Sequence, residues 1–198
     1  MLTYSRLSNW ITDQIYKTVP GVEASKREEI EYGAYMLLSE VSKISLLLIV
    51  ASILHVFWYI TAIISIFGFL RASLGGIHAK KHLTCIISYF VFSFGILFLS
   101  ITWTHPRPVL AGITIPFSFI VAYFYAPADM PVKPVVSKKQ RKRLRIQGFT
   151  LLAVLFGLAV FVGQVWFNII MFTCLLASVL MTPPVYRLTK NKYSWEEV

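Results

Sequence analysis

The sequence predicts an all-α, polytopic membrane protein with about six transmembrane helices, and three observations carry that prediction. The chain of 198 residues is 57% hydrophobic and only 14% charged, less polar surface than a soluble domain of this size requires. Uncharged stretches run over Ile44–Leu70, Leu83–Thr104 and Phe149–Thr182, each long enough for at least one crossing of about 20 residues. Their continuous apolar pattern lacks the alternation of a membrane barrel. The crossings are therefore helices, which satisfy their own backbone in lipid.

In chain order, residues 2–19 set Tyr4, Leu7, Ile11, Ile15 and Val19 at helical spacing among polar residues. This suits an amphipathic helix, lying on the membrane surface or capping the protein itself. Pro20-Gly21 ends it. The first 28 residues hold no apolar h-region, so no cleavable signal peptide is expected. Six spans follow, at about 29–54, 58–70, 83–103, 109–125, 149–163 and 167–182, as one integral membrane domain. A turn at His55–Trp58 separates the first two; a single span over Ile44–Leu70 is the alternative. Thr104–Pro108 reads as a turn because proline stops a helix. Residues 126–147 read as a basic polar loop with Pro127, Pro131 and Pro134. Gln164–Asn168 offers a polar interruption for the last hairpin, and Pro183-Pro184 ends it.

Charge orients the spans. The formal net charge is +10, and basic residues cluster in the N-terminal segment, Arg71–Lys81, Lys133–Arg145 and Arg187–Lys192. The turns near 56, 106 and 166 carry only Arg107. The positive-inside tendency then places every basic segment and both termini in the cytoplasm. The run Lys138, Lys139, Arg141, Lys142, Arg143 and Arg145 suits either anionic lipid or an acidic peptide. Nucleic acid is disfavoured, since no aromatic-bearing soluble domain accompanies the charge. Glu40 and Lys43, three residues apart, suit a structural pair on one helix face.

Two cysteines, Cys85 and Cys174, fall in or beside apolar runs without disulfide or zinc spacing, so neither metal nor cofactor is expected. Chemistry concentrates in Arg71-Ala-Ser-Leu-Gly75-Gly76-Ile-His78-Ala-Lys80-Lys81-His82-Leu-Thr-Cys85. A histidine beside a cysteine makes an activated nucleophile for acyl transfer. The amides of Gly75-Gly76 can approach a substrate carbonyl and serve as oxyanion donors. A straight helix would separate His78 from Cys85 by about 10 Å of rise, too far for a hydrogen bond. The pair therefore requires a break between them. Taken alone, the segment leaves two readings open: a nucleophilic pair, or polar residues incidental to a membrane boundary.

Arg71, the Gly75-Gly76-x-His78-Ala79 run, Cys85 seven residues later, and Tyr125-Ala126-Pro127-Ala128 before a Pro- and Lys-rich loop resemble the accessory gene regulator B family over most of the chain. The resemblance implies a bacterial cell-membrane cysteine endopeptidase that matures a quorum-sensing propeptide, with His78 and Cys85 catalytic. It implies a short amphipathic propeptide as substrate and favours a homodimer. Arg71 and the basic residues Lys138, Lys139, Arg141, Lys142 and Arg143 become the expected substrate contacts. One position departs from the family: where a Gln or Glu often follows a first-helix glycine by two residues, this chain has Tyr35 after Gly33. Tyr35 or Glu40 is then the candidate supporting residue. A peptide transporter or a non-catalytic membrane scaffold is the competing class, although no internal repeat of the transporter kind is visible.

Overall fold

The computed structural model describes residues 2–19, 23, 26–77, 82–128 and 137–189. These form eight helices: α1 (Leu2–Thr18), α2 (Arg27–Ile53), α3 (Phe57–Leu74), α4 (His82–Thr102), α5 (Arg107–Tyr125), α6 (Lys138–Ala159), α7 (Gln164–Val179) and α8 (Pro183–Leu188). Among the described residues the only β-type pairing is an isolated bridge between Gly75 and Ala128. The chain divides into two compact units, Met1–His55 and Val56–Val198.

In the first unit α1 packs along α2. The residues that α1 buries are Ser8 and Thr12, while Leu7, Trp10 and Val19 stay exposed. Small hydroxyl side chains allow close approach, and both donate to the helix's own backbone: Ser8 to the Ser5 carbonyl and Thr12 to the Ser8 carbonyl. The apolar residues left outward suit a helix at a membrane surface. Asp13 accepts from Arg27 at 2.5 Å, and Tyr16 donates to the Glu23 carbonyl at 2.8 Å, so the two helices are also tied at their junction. Within α2, buried Lys43 pairs with Glu40 as the spacing predicts.

The second unit is built around α7, which packs against α3, α4, α5 and α6. Nine of its sixteen residues are buried, which makes it the central helix. Its Phe167, Ile170, Met171, Cys174 and Ala177 join Leu70 and Leu74 of α3, Leu110 and Val121 of α5, and Leu152 and Phe156 of α6 in one core. The outer faces are apolar as well: Phe69, Ile87, Phe98, Ile113 and Phe161 are all more than half exposed. Apolar surface inside and out is the arrangement lipid selects. Gly148 lets α6 lie close against α3; a Cβ there would overlap the Leu74 side chain.

Several boundaries differ from the sequence expectation. α2 and α3 are separate helices with a turn at Leu54-His55, so the single long span is ruled out. Residues 138–147, expected within a loop, are the opening turns of α6; Lys, Arg, Gln and Leu are good helix formers, with no Gly or Pro among these ten residues. The last hairpin turns at Val160–Gly163 rather than at Gln164–Asn168. Of the six expected spans, four helices, α2 to α5, are long and apolar enough to cross a bilayer. The sixteen residues of α7 rise about 24 Å against a hydrocarbon core of about 30 Å, and α6 spends its first turns on charge.

Gln164 and Asn168 do not break the helix because they are paired. Asn168 is fully buried, and its amide donates to the carbonyls of Ser100 (2.8 Å) and Trp103 (3.1 Å). These are released where α4 ends. Gln164 donates to Asn168 Oδ1 at 3.2 Å and accepts from Arg107 Nε at 2.9 Å. One polar chain therefore holds the end of α4 and the starts of α5 and α7. Asn168→Leu keeps the branching and heavy-atom count of the side chain, in a somewhat larger volume, but removes both donors. It should lower unfolding stability in detergent by about 1–3 kcal/mol, read as a lower thermal midpoint; an unchanged midpoint would mean that the two carbonyls find other partners.

Candidate functional site

The helix α3 ends at Leu74 because Gly75 and Gly76 take φ of +81° and +123°, a region that L side chains rarely enter. Space demands glycine here as well. A Cβ on Gly75 would overlap the Ala128 carbonyl, and one on Gly76 would lie 2.7 Å from Arg71 Nη1.

The turn is held by the segment that follows α5. Ala126, Pro127 and Ala128 are buried, and the Ala126-Pro127 peptide is cis. The Ala128 amide donates to the Leu74 carbonyl at 2.8 Å, and the Gly76 amide donates to the Ala128 carbonyl at 2.8 Å. Two hydrogen bonds thus make the parallel bridge, like a fragment of sheet between two helix ends. Arg71 closes the turn from inside α3. Its Nη2 donates to the carbonyls of Gly76 and Ile77, with the guanidinium over the Phe67 ring at 5.6 Å. The sequence reading assigned Arg71 to substrate; in the fold its guanidinium is engaged by the loop that leads to His78.

His78, together with Lys80 and Lys81, lies outside the described residues. The chain is described again from His82, where α4 begins, and Cys85 sits in the first turn of that helix, partly buried and in no disulfide. Residues 71–85 are therefore not one helix; the expected fold-back of His78 toward Cys85 lies outside the described residues. Cys174, by contrast, is fully buried in the core.

The other expected site residues fall in two places. Lys138, Lys139, Lys142 and Arg143 are exposed and Arg141 is partly exposed, all in the first two turns of α6. Arg145 donates to the Tyr123 carbonyl and lies over the Tyr123 ring at 5.0 Å, tying α6 to the end of α5. Tyr35 and Glu40 belong to the first unit. Tyr35 lines a cavity of about 310 Å³ with Ser5, Ser8, Glu28, Glu31 and Tyr32. Among the described residues, no three His, Cys, Asp or Glu side chains gather as a metal site would require.

The sequence reading did not find Tyr186. It lies in α8, is buried, and donates its hydroxyl to the Ala128 carbonyl at 3.0 Å. Its only signal in the sequence was a tyrosine shortly after Pro183-Pro184, read there as the end of the membrane region.

The model of the Accessory gene regulator B family matches residues 8–182. The chain belongs to the AgrB family. It is similar to an AgrB-like protein of Clostridium acetobutylicum, 28% identical over 139 residues, which cover 70% of this chain and 62% of the relative. It is also similar to AgrB-like protein 2 of Clostridium perfringens, 26% identical over 137 residues, covering 65% of this chain and 63% of the relative. The chain thus spans less than two thirds of the length of either AgrB relative. No solved structure matches it.

A Gly75→Ala substitution places a methyl group against the Ala128 carbonyl at positive φ. This should break the bridge and destabilise the protein by roughly 1–3 kcal/mol. Limited proteolysis read by mass spectrometry should then show faster cleavage at Lys80-Lys81; an unchanged digestion rate would count against the bridge as the anchor of this turn.

Proposed function

We propose that this protein is a membrane-embedded cysteine endopeptidase of propeptide processing, with Cys85 as nucleophile and His78 as its base. Membership of the AgrB family supports the processing role. The observation that supports the chemistry is that α3 ends at Leu74 in the glycine turn while Cys85 lies in the first turn of α4, so the segment that carries His78 joins two separate helices. Family relatives in clostridia and the apolar helices support a bacterial cell membrane as its location. The basic segments then lie on the cytoplasmic side together with both termini.

The reaction balances as follows. His78 takes the thiol proton, and the Cys85 thiolate attacks the scissile carbonyl. The resulting oxyanion needs donors, for which the amides of the glycine turn are one source. Collapse breaks the C–N bond, His78 returns the proton to the leaving amine, and the C-terminal fragment departs, leaving a thioester. A substrate cysteine or serine then attacks the thioester carbonyl. Its proton passes through His78 to the departing Cys85 sulfur, and a cyclic thiolactone or lactone results. Exchange of one thioester for another is nearly balanced in bond energy and needs no ATP. It needs water kept from the thioester, which a site at the edge of lipid favours.

The exposed basic turns of α6 are the proposed dock for an acidic part of the propeptide. Cations at a helix N-terminus oppose the macrodipole, each by a few tenths of a kcal/mol up to about 1. Five of them within the first six residues of α6 therefore gain nothing from the dipole for their charge, although their side chains favour helix. An anionic neighbour accounts for them, whether peptide or lipid headgroup.

Cys85→Ala and His78→Ala should each reduce propeptide cleavage to background while membrane insertion is retained; wild-type rates in a purified Cys85→Ala preparation would end this reading. Replacing Lys138, Lys139, Arg141, Lys142 and Arg143 by Gln should weaken propeptide binding, and added salt should imitate the change in the wild-type protein. Binding measured in vesicles without anionic lipid separates the two neighbours: unchanged affinity there would leave these residues a lipid-facing role alone.

A further inference from the structure

We propose that the apolar groove between α4 and α7 is a substrate subsite, holding an apolar helical segment of the peptide while Cys85 reacts. The inference rests on the reading of Cys85 as nucleophile given above.

The groove has a volume of about 290 Å³. Val91, Phe92, Gly95 and Leu99 line it from α4, and Phe172 and Val179 line it from α7. Cys85, Phe92 and Leu99 follow one another at intervals of seven residues, and seven residues come within about 20° of two full helical turns. Cys85 and the groove therefore lie along one stripe of α4. By helical rise, the groove begins about 9 Å from the level of Cys85, at Val91, and ends about 21 Å from it, at Leu99. Since α4 starts at His82, the groove leads from the end that carries the thiol into the apolar length of the span.

Gly95 indicates the kind of occupant. A Cβ there would meet nothing within 4 Å, so packing within this unit does not call for glycine, and glycine weakens a helix. What it provides is a place where a second backbone can come close, as between paired membrane helices. An acyl chain has no backbone to bring there. A peptide in hydrocarbon must pair its own backbone groups, so the segment is helical, with large side chains at three- and four-residue spacing on the face it turns to the groove. A helix beside α4 has the same rise, so the groove meets substrate residues roughly 6 to 14 positions from the scissile bond. They lie on its N-terminal side. After the C–N bond breaks, only that part stays on Cys85 as the thioester, and it must be held in place while the ring closes.

The test uses the full chain in dodecyl maltoside with two thiol reagents, N-ethylmaleimide and N-dodecylmaleimide, and follows labelling of the Cys85 peptide by mass spectrometry. A dodecyl chain held in the groove delivers its maleimide to the thiol. The ratio of long-chain to short-chain rates should therefore be roughly tenfold higher in the wild-type protein than when the groove is filled. Gly95→Leu fills it from a position where a Cβ has open space. Val91→Phe narrows the end nearer Cys85 from a side chain that is 60% exposed, so the fold tolerates it. Both variants should keep the N-ethylmaleimide rate and the thermal midpoint. A synthetic leucine–serine helix of about 16 residues, apolar on one face, should slow the dodecyl reagent in the wild-type protein and in neither variant. Equal rate ratios in the wild-type protein and both variants would mean that the micelle alone concentrates the long reagent, and would overturn the inference. Protection by dioleoylphosphatidylglycerol but not by the peptide would make the groove a lipid site and overturn it too. Wild-type cleavage rates in Cys85→Ala would instead remove the reading beneath the inference, a failure on which the labelling ratios do not depend.

Discussion

A chain can leave helical structure inside or beside a bilayer only where something else pairs the backbone groups it releases. That constraint organises the second unit of this protein. At the end of α4, the carbonyls of Ser100 and Trp103 are taken by one buried asparagine. At the end of α3, the Leu74 carbonyl takes the Ala128 amide, and the Gly76 amide takes the Ala128 carbonyl. Both of these breaks are answered by a polar group brought from a remote stretch of chain. Those remote stretches fix where the helices lie, because a misplaced helix would leave its partner's backbone unpaired.

Much of this architecture was legible in the sequence because composition and periodicity report on burial in lipid directly. The uncharged runs, the proline-bearing turn before α5 and the glycine pair after Leu74 each have a local physical cause, although Arg107 and Pro108, read as part of that turn, already open α5. The errors share a different origin. Gln164 and Asn168 read as a break because a polar residue among apolar ones has no visible partner in one dimension; the partners are 57 to 68 residues away. The basic run read as loop because charge suggested solvent, whereas its residue types favour helix and carry on into the apolar part of α6. In the site, the glycines and Cys85 stood out by chemical type. Tyr186 and the Ala126–Ala128 strap act through a backbone oxygen, which leaves no mark on residue identity.

The helix α6 joins two environments along a single axis. Its first turns carry Lys138, Lys139, Lys142 and Arg143 outward, and its later turns carry Ile146, Val154 and Leu158 outward instead. The change marks the level at which polar surroundings give way to hydrocarbon. Gly148, just past that level, brings α6 against Leu74, the residue immediately before the glycine turn. The charged surface and the turn are thus parts of one packed arrangement, linked by a contact that leaves no room for a side chain.

The shared carbonyl of Ala128 also fixes an order in time. It draws on Gly76 and on Tyr186, positions 110 residues apart in the chain. During synthesis at about 5–20 residues per second, the glycine turn is made long before the tyrosine that helps to hold its partner. The completed arrangement can form only after α8 has left the ribosome. A nascent chain that has inserted α3, α4 and α5 therefore contains Cys85 and His78 but not the full set of bonds around the turn between α3 and α4.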